Sequence, residues 1–439
     1  MNLRKVSIVA ALAMAWLCAS GAAGAAGPDG AAPGTIAPGT TVTMQNWRQY
    51  KDFMPDGMAA LFEGTYFWKM PADVELEIGP TVIHPLPKGY VEASEKYGPQ
   101  VKLVELPDGG LTIQNYVAGI PFPTPSGPHK GWEILANLWY RYTPNIAAST
   151  PENPIVDCTQ DSYGNIACEQ ELFVSRWLSH ITDPGVAMVN PEAGDRDETR
   201  FGMVIQPEQR KYSSFLDVYY SDLTRLPSVY SFSPSERRVM QVSSASRCQP
   251  SNGSDMTADD FRYGIAGSIP EFSADLLGER KILALLQYRA PSDGLFPADY
   301  DMPLGWSKPD WGKWEVRDVY VIDVRKIPSK AAGYCYGKRI MYVDQQFYGP
   351  LWEDLYDRNM KLWKIAHLSP QVRDIPGIGL TSNSGSIFEQ FWDVQSNHAT
   401  YDASFDGHGH GPLVASQVPA GYLDLRRYGS PGGMSEIMR

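Results

Sequence analysis

The sequence predicts a mainly β, α+β protein with an antiparallel sheet, and three observations carry that reading. Apolar residues recur with a period of two, as where Leu216, Val218 and Tyr220 alternate with Asp217, Tyr219 and Ser221. Such stretches are separated by turn chemistry, for example Asp108-Gly109-Gly110 and Pro234-Ser235-Glu236. Aromatic residues are abundant, with 12 Trp, 24 Tyr and 15 Phe, and a large sheet favours them.

Taken in order, residues 1–26 read as a secretory signal. Arg4 and Lys5 precede the apolar run Val6–Cys18, which is too short to span a bilayer, and Ala23-Gly24-Ala25 offers a cleavage site. Leu17 before Cys18 and Ala15 three back depart from a lipobox. Residues 27–42, rich in Gly and Pro, read as a flexible leader. Residues 43–406 are expected to form one large domain, and 407–439 a loose glycine-rich tail.

Within the domain, Thr43–Phe62 is helical in pattern, to be kinked or split at Pro55-Asp56-Gly57. Val74–Ile83 reads as a strand. Val101–Leu106 and Leu111–Val117 form the clearest hairpin. Pro128 opens a helix with Trp132, Leu135, Ala136 and Trp139 at i, i+3, i+4 and i+7. Ile155–Gln160 and Ile166–Leu178 make a second hairpin, and Asp183–Arg200 a loop. Leu216–Tyr220, Val229–Ser233 and Arg238–Val242 make a meander, followed by a helix start with Thr257 as N-cap and Asp260 three residues on. Pro270–Gly278 reads as a short helix or loop, and Lys281–Tyr288 as a strand. Ala290–Trp314 reads as a long loop. Val316–Val324, with its unbroken middle Val319–Ile322, reads as a strand buried on both faces. Arg339–Asp344, a hairpin over Leu351–Lys364 and Ser386–Val394 complete the strands.

Four cysteines follow the signal: Cys158, Cys168, Cys248 and Cys335. In an exported chain they read as two disulfides, with free thiols as the alternative. Cys158 and Cys168 flank the turn Tyr163-Gly164-Asn165, so the pairing expected is Cys158–Cys168 with Cys248–Cys335. The formal charge of -12 gives no support to nucleic-acid binding or to anionic membrane surfaces.

The stretch Leu223–Val239 carries Leu226-Pro227, Tyr230, Phe232, Pro234 and Arg237-Arg238-Val239, and Gly253–Phe261 follows it. With Phe53–Met58, Gly79–His84, Leu103–Gly110, Tyr334–Arg339, Tyr342–Asp344, Tyr356-Asp357 and Lys361–Trp363, it resembles a family of exported bacterial proteins. That family is described as similar to outer-membrane lipoprotein-sorting proteins, the Lol-type periplasmic carriers. The resemblance implies an unclosed, strongly curved antiparallel β-barrel covered by a few α-helices. It also implies hand-off partners, among them exporters of the resistance–nodulation–division (RND) type and outer-membrane proteins.

Motifs for catalysis are absent. No G-x-S-x-G, G-x-G-x-x-G or Walker A stretch occurs, and no cofactor is called for. The pairs Glu353-Asp354 and Asp259-Asp260 are adjacent, so on a strand they point to opposite faces. His408 and His410 have an H-x-H spacing, but no third ligand can be named and no metal site is assigned.

The function expected is a periplasmic carrier that shelters a lipid, a lipoprotein acyl chain or another hydrophobic molecule. Each buried CH₂ contributes about 0.8 kcal/mol to such binding. Alternation assigns the cavity wall to Trp132, Leu135, Trp139, Leu216, Val218, Tyr220, Tyr230, Phe232, Met240, Tyr320 and Ile322. Arg238 and Arg339 are assigned to a head group or partner, with salt bridges as the alternative. The competing function is an envelope hydrolase acting on a polysaccharide or lipid. The two differ in one prediction: a carrier cavity is lined by apolar residues, whereas a hydrolase cleft gathers Asp, Glu or His.

Overall fold

The computed structural model describes residues 34–243, 246–251, 253–262, 264–288, 297–298, 300–403 and 412–437. The signal segment and the His408/His410 pair lie outside the described residues. Thirteen strands build the main sheet. The first six are β1 (Ile155–Gln160), β2 (Ile166–Trp177), β3 (Arg196–Gln206), β4 (Ser214–Tyr220), β5 (Ser228–Ser233) and β6 (Arg238–Gln241). The second seven are β7 (Phe272–Tyr288), β8 (Gly312–Lys326), β9 (Lys338–Asp344), β10 (Pro350–Tyr356), β11 (Leu362–Ile375), β12 (Gly379–Asp393) and β13 (His398–Ala403).

The spatial order is 6-5-4-3-2-1-13-12-11-10-9-8-7, antiparallel throughout. Each half is therefore a meander in which chain neighbours pair. The two meanders are joined by the pairing of β1 with β13, at Asp157↔Asp402 and Cys158↔Tyr401. The sheet is unclosed, with β6 and β7 as its two ends. Two short strands, Ile146–Ala148 and Leu413–Val414, attach beside β2. Bulges in β7·β8 and β11·β12 bend the long strands.

Both faces of the sheet are covered. On one, the N-terminal 3₁₀ turn Trp47–Phe53 and helix α1 (Asp56–Glu63) bury Trp47, Met58 and Phe62 against Trp352, Ile365, Trp392 and Tyr401. Pro55 separates the two helical pieces, as the sequence predicts. Further along this face the C-terminal segment packs on β2–β5, where Val418 and Met434 meet Leu172, Phe201, Leu216 and Phe232. This segment, expected to be loose, carries two short helices, Leu425–Tyr428 and Pro431–Glu436. Asp424 and Ser430 cap them, accepting the backbone N–H of Arg426 and Gly433.

The opposite face is covered by the helix Lys130–Trp139, with the helix Lys88–Tyr97 between α1 and it in the chain. Trp132, Leu135 and Trp139 meet Ile322, Met341, Val343, Ala366 and Phe391. Gly131 lets this helix lie close to β7: a Cβ there would stand 2.4 Å from the Ala274 carbonyl oxygen.

The helix expected from Thr257 does not form. Thr257 N–H and Oγ1 both donate to Asp260 Oδ2, at 2.7 and 2.9 Å, but Tyr336 just before β9 and Arg339 on β9 also engage that carboxylate. The segment is therefore folded as turns against β8–β10. The loop expected over Asp183–Arg200 yields to β3 from Arg196, and Pro270–Gly278 passes into β7 at Phe272. Both expected disulfides are present, Cys158–Cys168 across the β1·β2 hairpin and Cys248–Cys335 between the two meanders.

Candidate functional site

A cavity of about 190 Å³ lies on the face shared with the Lys130–Trp139 helix, where the two meanders join. Strands β1–β4, β12 and β13 form its floor, and Ser251, Ser254, Met256 and Phe261 cover it.

Register explains the lining. Glu389, Asp402, Asp157 and Glu169 stand directly opposite one another on β12, β13, β1 and β2, four carboxyls in one cross-strand row. A second row is Ser175, Arg200 and Asp217 on β2–β4. A third is Phe173, Gly202 and Phe215. Phe215 leans over Gly202, whose added Cβ would stand 2.2 Å from the ring, and faces Phe261 at 6.3 Å between centroids. Strand β2 adds Glu171, two residues beyond Glu169 and so on the same face.

Electrostatics follow from that crowding. Burial and the neighbouring Asp402 and Glu169 push Glu171 up to about 8, against an opposing pull from Arg210. Burial raises Asp157 and Asp402 well above the usual carboxylate range, and Glu171, Glu169 and Glu389 add to it. Asp217 rises to about 6 through burial, opposed by Arg200 and Arg247. Glu169 is raised by burial although Arg210 pairs with it. Adjacent buried carboxyls hold protons because two like charges at that spacing repel.

The covering segment is pinned to the sheet. Asp255 Oδ2 accepts from Thr400 Oγ1 and His398 Nδ1, both at 2.7 Å. Arg339 Nη2 donates to Asp260 Oδ1 at 2.6 Å and to the Asp259 carbonyl at 3.4 Å. Arg247 Nε donates to Asp259 at 2.6 Å.

None of the eleven residues assigned to a cavity wall lines this cavity. Leu216, Val218 and Phe232 lie on the other face under the C-terminal helices, with Tyr220 and Tyr230 beside them. Tyr230 and Phe232 also border a groove of about 340 Å³ near β5. Trp132, Leu135 and Ile322 are packed core, and Tyr320 lies against that core, stacked on Tyr348. Trp139 stacks on Arg262, whose Cζ is 3.7 Å from the ring centroid. Met240 is half-buried on β6 beside the exposed Arg238, which pairs with Glu236. Arg339 is 1% exposed and holds Asp260 and Glu353, so it meets no head group here.

The period of β4 was legible, but the cavity takes Phe215 and Asp217 rather than Leu216 and Val218, a one-residue slip of face. The carboxyls were missed because alternating acids in a strand read as a wet surface. One local signal existed: pairing Cys158 with Cys168 places Asp157 opposite Glu169. Among the described residues, no group of three His, Cys, Asp or Glu side chains has the geometry to hold a metal ion. No helix among them is long and apolar enough to cross a membrane.

The chain is 24% identical over 338 residues to the uncharacterised protein PA3922 of Pseudomonas aeruginosa, covering 74% of this chain and 68% of that one. Among solved structures it is similar to an outer membrane lipoprotein-sorting protein domain from Vibrio parahaemolyticus, at 14% identity and a TM-score of 0.45. That alignment covers 67% of this chain and 96% of the domain. It is also similar to a DUF1329 family protein from Desulfovibrio piger, at 15% identity and a TM-score of 0.44, over 63% and 91% of the two chains. The profile of the family described as "protein of unknown function (DUF1329)" matches residues 41–421, and the chain belongs to that family.

Proposed function

We propose that this protein is a carrier of the bacterial cell envelope that binds a small amphipathic molecule in the cavity between its two meanders. The observation that supports this most directly is the cavity's divided lining. Phe173, Phe215, Phe261 and Met256 give an apolar wall, while the carboxyl row gives a polar one. A purely hydrocarbon cargo would leave those carboxyls without partners, at a cost in desolvation. A cargo with an apolar body and a polar head satisfies both.

An export signal and two disulfides suit a periplasmic location. The resemblance to lipoprotein-sorting carriers supports a hand-off role, with an RND-type exporter or an outer-membrane protein as the receiving partner. Native mass spectrometry of the intact protein purified from the periplasm, followed by solvent extraction, tests the reading. A bound small molecule of amphipathic character is expected. Repeated recovery of an empty, folded protein would overturn it.

One observation favours a second reading. Six carboxyls converge on one cavity, and a hydrolase with a protonated acid beside an ionised partner uses such a set. Turnover of envelope glycans or lipid esters by the purified protein, lost in Asp157→Asn, would establish that activity in place of the carrier.

A further inference from the structure

We infer that the head group of the cargo is a primary or secondary amine, received by Glu171 and Asp217. The inference rests on the carrier reading and names the class of molecule carried. Its first ground is charge. Six carboxyls face the cavity, from Asp157, Glu169, Glu171, Asp217, Glu389 and Asp402, against the two guanidiniums of Arg200 and Arg210. Arg210 is already engaged by Glu169, and Arg200 Nε lies 4.0 Å from Glu198 Oε1. The excess is of acceptors and of latent negative charge.

The second ground is independent of that count. Glu171 and Asp217 are 7% and 8% exposed and both line the cavity. Among the described residues neither carboxyl has a hydrogen-bond donor or an ion-pair partner. Buried carboxyls ordinarily find one, because an unmet acceptor forfeits its hydration without return. They stand on β2 and β4 with Arg200 of β3 between their strands, so they face the same space from two sides.

Head-group chemistry then decides the class. An ammonium carries three donors and no acceptor, so it can reach several oxygens at once and offset their charge. A hydroxyl supplies one donor and leaves the remaining oxygens unmet. A carboxylate supplies none and adds repulsion. A divalent ion would need a coordinating cluster, and the described residues hold none. The apolar body of the amine would lie along Phe215 and Phe261.

Isothermal titration of the intact, ligand-stripped protein with octylamine, octan-1-ol and octanoate at about pH 8, where Glu171 is half ionised, tests this. Octylamine should bind about tenfold or more tighter than octan-1-ol, the increment of a charge-assisted hydrogen bond. Octanoate should be weakest. Glu171→Gln and Asp217→Asn, checked for folding by circular dichroism, should abolish the preference of octylamine over octan-1-ol. Equal binding of all three, or a preference for octanoate, overturns the amine assignment and leaves the carrier standing. Binding of none of them overturns both. The comparison in the unmodified protein decides the matter even if a variant fails to fold.

Discussion

Asp157 and Asp402 face each other across β1 and β13, where the two meanders of the sheet are joined. Burial raises both well above the usual carboxylate range, and Asp157 adds to the rise of Asp402, since two like charges held that close repel. The junction that completes the fold is thus also the most acid-crowded point of the cavity.

Stability should therefore fall as pH rises. In the folded protein Asp157, Asp402, Glu171 and Asp217 hold protons more tightly than free carboxyls do. The fold binds more protons than the unfolded chain, so this stabilisation is complete below about pH 4 and is lost as pH passes the folded values. The lost portion runs through about 6 for Asp217 and about 8 for Glu171. Each tenfold change in acid strength corresponds to about 1.4 kcal/mol. Thermal melts from pH 5 to 8 should show a falling midpoint. Asp157→Asn should flatten the slope, since an amide can donate to Asp402 without a proton from water. A midpoint that rises over this range would contradict the cluster.

How far the sequence reveals this site depends on distance along the chain. Local features were readable: the Pro55 break, the Lys130–Trp139 stripe, the β1·β2 hairpin and the β4 alternation all rest on neighbours within a few residues. The site rests on the β1·β13 pairing, which joins residues 245 positions apart at Asp157 and Asp402 and leaves no periodic trace. Face assignment failed for a related reason. Leu216 and Val218 look like cavity walls if only one face of β4 is covered, but the C-terminal helices cover the other face as well. Their caps, Asp424 and Ser430 with Pro431 following, were present in the sequence within a tail whose glycine content masked them.

Arg339 should prove more important to folding than to any cargo. It is buried among Asp260, Glu353 and the Gly264 carbonyl, and it holds the covering segment to β9 and β10. Arg339→Leu removes the guanidinium paired with the buried Asp260 carboxylate and should destabilise by about 3–5 kcal/mol. Urea denaturation gives that figure directly. A loss under about 1 kcal/mol would mean the pair is solvated in practice.

The two disulfides should contribute unequally. Cys248–Cys335 closes 87 residues and Cys158–Cys168 only 10. Chain entropy assigns about 5 kcal/mol to the first and about 3 kcal/mol to the second. Denaturation of the two Cys→Ser double variants should rank them in that order. Loss of the first should also make the covering segment around Ser251–Phe261 more sensitive to protease, because the bridge ties its start to the β8–β9 connection.

Gly202 offers a way to fill the cavity from below without touching its charges. The Phe215 ring occupies the space a side chain at 202 would need, with an added Cβ 2.2 Å from Cε1 and 2.6 Å from Cζ. Backbone strain is not involved, since Gly202 lies within β3 and is extended. In Gly202→Ala the ring must swing, and with β3 beneath it the open direction is into the cavity toward Phe261. That movement removes apolar volume from the site and moves no carboxyl. Octan-1-ol and octylamine should both bind about tenfold more weakly, with their ratio unchanged, while stability drops by about 1–3 kcal/mol from overpacking. If binding of both is unaffected in a folded variant, the molecule carried does not lie against Phe215, and the apolar wall assigned to it belongs to the core instead.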